Sequence, residues 1–261
     1  MNDRSDVRDF SKPEPCLGYR RLAACVLYAA LPFIESYAMT AMAIAIIIAI
    51  WAGEWHAGRP FSLLTLFVLL TIICRLDILM LVWPLPLLIP SLLYVVGKTR
   101  IGVRPAMWIK AGRLNGTAVY WAALGAACSI GGLYAWSTIV EPDVSRFLQA
   151  LPQYPKTVLL ACGALYYVLN AAAEELVFRG ILFEELRSSK INTALLVVLQ
   201  AIAFGLWHRY GIPGGVSGMA LATGYGLIQG IIRVKTGGLL APWVSHIAAD
   251  FTILALLSVH I

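Results

Sequence analysis

Apolar residues in this chain run in long blocks instead of alternating with polar ones. The blocks recur at 22–52, 61–97, 114–137, 156–179, 192–208, 214–232 and 237–259. At about 20 residues per crossing, such blocks are the signature of membrane-spanning helices, and the length leaves room for roughly six to eight of them. The ten-residue alternating strands of a membrane barrel are absent, as is any internal repeat. In lipid every backbone N–H and C=O needs an internal partner, so the expected fold is all-α: a polytopic transmembrane bundle of about seven or eight helices. The first two blocks each exceed one span. Pro32, Pro84, Pro86 and Pro90 can break them, and Arg75 and Asp77 interrupt the second. Four short crossings in place of two would leave the downstream orientation unchanged.

Composition supports lipid as the solvent. Hydrophobic residues make up 60% of the 261 positions and charged ones 13%, and the mean hydropathy is +0.78. The net charge of +6 does not point to nucleic acid, because the basic residues gather between apolar blocks. They cluster at Arg20 and Arg21, at Lys98, Arg100, Arg104, Lys110 and Arg113, at Arg187 and Lys190, and at Arg233 and Lys235. Placed inside by the preference of short cytoplasmic loops for Lys and Arg, these clusters alternate with poorly charged outer loops. The chain then divides into a polar cytoplasmic tail over 1–21, N-terminal membrane helices with a basic loop over 22–113, and a membrane core over 114–261. The tail lacks the pattern of a cleaved signal and is read as uncleaved. The expected location is the cell (inner) membrane, multi-pass, with the N-terminus cytoplasmic. Cys16, Cys25, Cys74, Cys128 and Cys162 stand singly and are expected to be small buried hydrophobes.

An ionisable side chain at membrane depth costs about 2.5–3.5 kcal/mol on insertion scales, so each one requires a partner or a task. Three such groups lie in the second half. In Asn170-Ala-Ala-Ala-Glu174-Glu175-Leu-Val-Phe-Arg179, Glu175 and Arg179 share a helix face and neutralise one another, while Glu174 points about 100° away, on the face of Asn170. Phe204 and His208 close the block 192–208, and His246 and Asp250 lie one turn apart in the last block. If the helices carrying Glu174 and His208 form an antiparallel hairpin about Ile191, both residues fall at a similar depth. The same count leaves His246 shallower. A carboxylate beside a histidine in a dry site can hold and deprotonate a water, and the resulting nucleophile can attack a peptide carbonyl. His246, with Asp250 or amide donors nearby, would then face the oxyanion.

At these residues the chain resembles the CPBP family of CAAX proteases and bacteriocin-processing proteins, also called Abi. Its motifs EExxxR, FxxxH and HxxxN appear in order as Glu174-Glu175-x-x-x-Arg179, Phe204-x-x-x-His208 and His246-x-x-x-Asp250. The resemblance covers about residues 115–260 and implies a glutamate-type intramembrane peptidase without an obligatory metal. Carried over by motif, Glu174 is the general base, His208 helps hold the water, Glu175 with Arg179 supports the site, and His246 with Asp250 forms the oxyanion side. The family's best-known eukaryotic member, the Ras-converting endopeptidase, removes three residues after a prenylated cysteine. Asp250 stands where Asn is usual, so it either stays protonated or orients His246.

The expected partners are a membrane-associated peptide or protein substrate and the bilayer, with no nucleic acid. No cofactor is expected. Zinc is the alternative, since two histidines and a glutamate make three ligands with an open position, although HExxH is lacking. A non-catalytic scaffold or immunity factor, or a transporter, is the other class of reading. A repeat-built transporter would have two similar halves, which this sequence lacks. Glu175–Arg179 also fits a buried ion pair tethering helices. Glu184, Glu185 and Arg187 read as a solvated helix end, and Tyr166, Tyr167, Trp207 and Trp243 as packing or groove-lining aromatics. His56 and His260 are assigned no chemistry, and 22–113 is left to recognise substrate or seal the bundle.

Overall fold

The computed structural model describes residues 15–56, 63–74, 84–100 and 109–261. Helices and turns account for all regular structure among them, with no strand. The helices are α1 (Pro15–Ala30), α2 (Tyr37–His56), α3 (Leu63–Cys74), α4 (Leu85–Arg100), α5 (Gly116–Val140), a short α6 (Ser145–Gln149), α7 (Lys156–Ser188), α8 (Thr193–Trp207), α9 (Gly215–Thr236) and α10 (Leu240–Ser258). Five of them, α5 and α7–α10, are long and apolar enough to cross a membrane, α8 together with the turn that follows it. Shorter apolar helical stretches occupy Tyr37–Ala52, Leu64–Ile73 and Leu87–Gly97. Large apolar side chains such as Val119, Ile139, Leu165 and Val216 stand on the outside. An outer surface of this kind suits lipid, and the protein is an integral membrane protein.

In place of the expected seven or eight full spans, the described residues hold five helices long and apolar enough to cross, with shorter apolar helices beside them. The block 22–52 is broken where Pro32 ends α1 in a 3-10 turn over Leu31–Phe33. The block 61–97 yields α3 and α4 in place of one span. Arg75, Asp77, Arg104 and most of the N-terminal tail lie outside the described residues. Each of the five downstream blocks corresponds to one helix, the one starting at Lys156 running on to Ser188, and three of them begin or end at a clear local signal. Asn115 caps α5 by accepting from the Ala118 N–H, and Asn192 caps α8 by accepting from that of Leu195. Gly237, with φ of 70°, terminates α9.

The core is built by α8 and α9 packed together, α5 against α9 and α10, and α7 against α10. Small residues permit the closest approach. A Cβ on Gly205 would lie 1.9 Å from the Thr223 hydroxyl and 2.6 Å from the Met219 carbonyl, and one on Gly226 would lie 2.9 Å from the Ala201 Cα. Gln200 uses the same contact to donate to the Gly226 carbonyl across 2.8 Å. The α9–α10 turn is tied to residues 110–113 by backbone bonds from Arg113 to Thr236, Leu239 to Lys110 and Leu240 to Ala111. There Gly112 and Gly238 meet backbone to backbone, leaving no room for a side chain on either. The N-terminal helices join this core through rings: Tyr28 stacks on Trp207 with centroids 4.9 Å apart and meets Phe178 edge-on at 6.1 Å.

Two expectations for side chains are corrected. Glu185 is buried, accepting a hydrogen bond from the Tyr94 hydroxyl and lying 3.7 Å from Arg21. It thus faces α1 and α4, whereas its neighbours Glu184 and Arg187 pair at the exposed end of the helix as expected. Among the cysteines whose side chains are described, Cys25 is buried but Cys128 and Cys162 are exposed. In lipid an apolar thiol has no need of the interior.

Gly205→Ala is expected to lower stability by about 1–3 kcal/mol through overpacking of α8 on α9. Gly224→Ala, where a Cβ meets nothing within 4 Å, is expected to be neutral or slightly stabilising. Thermal unfolding of the two variants in detergent compares them.

Candidate active site

The site begins on α7. Asn170 and Glu174, one turn apart, are bonded as expected: the Asn170 amide donates to Glu174 Oε1 across 3.1 Å. Glu175, rotated from Glu174, receives Arg179 Nη1 on its Oε1 at 3.0 Å. From Leu176 to Leu182 the helix widens into a π-helical turn, beginning directly after the two glutamates. Such a turn is a frequent feature of functional sites, since it re-aims side chains without ending the helix. Both glutamates and Arg179 are buried.

His246 on α10 connects the two carboxylates. Its Nδ1 lies 2.8 Å from Glu175 Oε1, the same oxygen that holds Arg179, and its Nε2 lies 3.6 Å from Glu174 Oε2. Asp250, one turn further on, places Oδ1 3.6 Å from His246 Nε2 and accepts from the Asn170 amide on Oδ2 across 3.4 Å. Asn170, Glu174, His246 and Asp250 therefore close into a ring of polar groups between α7 and α10. With Nδ1 engaged by Glu175, the imidazole turns Nε2 toward the other two carboxyl groups. Oε2 of Glu174 and Oε2 of Glu175 are buried and accept no hydrogen bond among the described residues.

His208 approaches from α8, at the point where that helix tightens into a 3-10 turn over His208–Tyr210. Its Nδ1 is 2.9 Å from the Phe204 carbonyl. A carbonyl can only accept, so the proton is assigned to Nδ1 and the lone pair to Nε2. The Phe204 ring sits between the functional groups, 4.5 Å from the His208 ring and 5.8 Å from that of His246, with the Arg179 guanidinium 4.3 Å over its face. This explains why the motif pairs a phenylalanine with the histidine. Phe204 contributes both the carbonyl that orients His208 and the apolar wall that keeps water from the ion pair.

Two cavities meet here. One of about 270 Å³ is lined by Asn170, Glu174, His208 and Asp250 together with Tyr166, Tyr167 and Trp207. The other, about 350 Å³, is lined by His208, His246, Asp250, Phe204, Tyr225 and residues of α5 including Leu133. His208 and Asp250 border both. Glu174 and His208 make no direct hydrogen bond, but both line the smaller cavity.

All six residues singled out in the sequence thus gather around one centre. Tyr166, Tyr167 and Trp207 are cavity walls, whereas Trp243 packs, donating to the Val168 carbonyl. Sequence reasoning missed Tyr225 and Gln229. Gln229 donates to the Tyr225 hydroxyl and, across 2.9 Å, to Ser245, and the Tyr225 ring rests 5.3 Å from His246. A glutamine in the middle of an apolar helix was the available signal. Among the described residues no group of three or more His, Cys, Asp and Glu is arranged to hold a metal ion. The two histidine Nδ1 atoms are already engaged, by Glu175 and by the Phe204 carbonyl.

Fold and centre define a class: a helical membrane protein with carboxylates and histidines assembled inside the bundle. Residues 156–252 match the family described as type II CAAX prenyl endopeptidase Rce1-like, a stretch that contains all six residues. The match supports the CPBP family of CAAX-protease-like membrane proteins for this part of the chain, and an activity of the CAAX-protease type. No curated protein and no solved structure gives a match.

Removing Arg179 would leave Glu175 buried with His246 as its one remaining partner. Arg179→Met is therefore expected to cost about 3–5 kcal/mol, as for breaking a buried pair. Arg187→Met, at the exposed pair with Glu184, is expected to cost about 0–1 kcal/mol. Unfolding in detergent, followed by circular dichroism, measures both.

Proposed function

We propose that this protein is a glutamate-type intramembrane endopeptidase that hydrolyses a peptide bond of a membrane-associated substrate, with Glu174 and His208 activating the water. The observation that carries the reading is that Glu174 and His208 line one small cavity while His246, between the two glutamates, is bonded to Glu175. A water between Glu174 and the Nε2 lone pair of His208 would have its two hydrogens bound and its oxygen directed into the cavity.

Glu174 takes a proton from this water as the oxygen attacks the scissile carbonyl. The new C–O bond moves the carbonyl π electrons onto oxygen, and the tetrahedral intermediate carries the negative charge. His246 acts as the imidazolium: Nδ1–H stays on Glu175, which Arg179 fixes in turn, and Nε2–H is directed toward that oxyanion, an effect often worth about 3–4 kcal/mol. Collapse breaks the C–N bond, and Glu174 returns its proton to the leaving amine. Asp250 orients His246 Nε2 and secures Asn170, which in turn fixes Glu174. The larger cavity, walled by α5 and α9, suits the apolar part of a substrate entering from lipid. A lipidated C-terminus fits it, as does a short apolar peptide segment.

Glu174→Gln keeps the shape of the side chain and removes the base. Cleavage of a membrane-peptide library by purified protein, read by mass spectrometry, is expected to disappear in Glu174→Gln and to fall by about 10²–10⁴ in His208→Ala, with both variants folded. Chelator is expected to leave wild-type cleavage intact. Loss on chelation would replace this mechanism with a metal-assisted one, and equal cleavage by wild type and Glu174→Gln would remove Glu174 as the base.

A further inference from the structure

His208 stands where α8 stops being an α-helix. The residue begins a 3-10 turn whose backbone is closed by one bond, from the Gly211 N–H to the His208 carbonyl, at 3.3 Å. Among the described residues its ring makes one hydrogen bond, to the Phe204 carbonyl. A histidine asked to aim a water needs a firmer frame than this, and the frame comes from a stretch far away in sequence. Residues Tyr28–Glu35, at the broken end of α1, grip the three neighbours of His208 one after another.

Trp207 donates its indole N–H to the Tyr28 carbonyl across 3.1 Å, with the Tyr28 ring stacked against it. The Arg209 guanidinium lies 4.6 Å over the Phe33 ring and reaches Glu35 Oε1 at 2.7 Å. The Tyr210 hydroxyl donates to the same Glu35 oxygen across 2.5 Å. Pro32, inside the gripping segment, lines the small cavity together with Glu174 and His208. Glu35 thus holds the residues at +1 and +2 from His208, and Tyr28 holds the residue at −1. All of these N-terminal contacts lie outside the stretch 156–252 that carries the family match.

We infer that Glu35 is a positioning residue of this site, and that the N-terminal helices serve to aim His208. The inference rests on the reading of Glu174 and His208 as the water-activating pair. The Glu35 side chain is 54% exposed and that of Arg209 31%, so their ion pair contributes little to global stability. It acts instead on orientation: two side chains of one tight turn share one carboxylate oxygen, and that fixes the turn's rotation about the end of α8. An error of about 1 Å in a group that aims a nucleophile costs up to about 100-fold in rate, although the fold barely registers it.

Diethyl pyrocarbonate acylates accessible neutral imidazole nitrogens, and His260, exposed at the C-terminal end, provides an internal reference. In the full-length protein in detergent, Glu35→Ala is expected to raise the acylation rate of His208 several-fold relative to His260, as read by peptide mass spectrometry, with the unfolding temperature unchanged. In cleavage assays Glu35→Gln is expected to lower kcat about tenfold with KM within about twofold. Glu35→Asp is expected to restore most of the loss. The double variant Glu35→Gln/Arg209→Gln is expected to be no worse than the poorer single variant. Unchanged His208 reactivity in Glu35→Ala overturns the inference whatever the cleavage data. So does a rise accompanied by a lower unfolding temperature, which would make the role one of folding. If Glu174→Gln still cleaves, the protease reading falls separately, and the acylation rate continues to decide whether Glu35 positions His208.

Discussion

One carboxylate oxygen, Oε1 of Glu175, organises this molecule. It holds the Arg179 guanidinium at 3.0 Å and His246 Nδ1 at 2.8 Å, with all three side chains out of reach of water. A charge in such a place is tolerable only when paired, so the pairing dictates how α7 and α10 face each other. Everything chemical follows from that register. Once Nδ1 of His246 is committed to Glu175, Nε2 must face Glu174 and Asp250, and the Asn170 amide closes the ring between those two. This buried ion pair thus lies beside the proposed base, and Glu174 keeps an oxygen, Oε2, that accepts no hydrogen bond among the described residues.

The doubled glutamate separates two demands that one residue would struggle to meet. A structural carboxylate needs a cation at hand, whereas a base needs a lone pair open to the reacting water. Adjacent positions on a helix point about 100° apart, so Glu175 is turned to the cation and Glu174 to the cavity. The wide turn at Leu176–Leu182 adds to this, because it begins just after the pair and lets Arg179 reach back while the helix continues to Ser188. Phe204 plays a comparable double role on α8. Its carbonyl sets the tautomer of His208, and its ring separates His208 from the guanidinium that would otherwise compete for the same site.

Much of this was legible in the sequence, and the reasons are local. Spacings of four on a helix translate directly into contacts, which is why Glu175–Arg179, Asn170–Glu174 and the shared face of His246 and Asp250 all appear as expected. Long apolar blocks delimit helices well when a cap marks each end, as Asn115 and Asn192 do. Depth was harder. Residue counts from a turn placed His246 shallower than Glu174, yet the two glutamates bracket its imidazole, because equal counts mean equal depth only for helices of equal tilt. Glu185 was misread for a related reason. Its neighbours in sequence are solvated, but its face of the helix meets Tyr94 and Arg21, whose distance in sequence hides the contact.

The N-terminal helices illustrate the same limit at larger scale. Nothing in residues 22–113 announces chemistry, and a reading by motif leaves them as packing. In the folded chain, the Pro32 break that shortens the first helix puts Phe33 in the 3-10 turn and leaves Glu35 outside helical geometry. A continuous helix through these residues would carry Glu35 along its own axis, about 1.5 Å per residue past the end of α8. Broken, it turns the side chain onto Arg209 and Tyr210. The proline that frustrates the counting of spans is therefore the local cause of the contact beside His208. The same steric rule that ends a helix at proline explains why a segment lacking recognisable motifs borders the cavity of the proposed base.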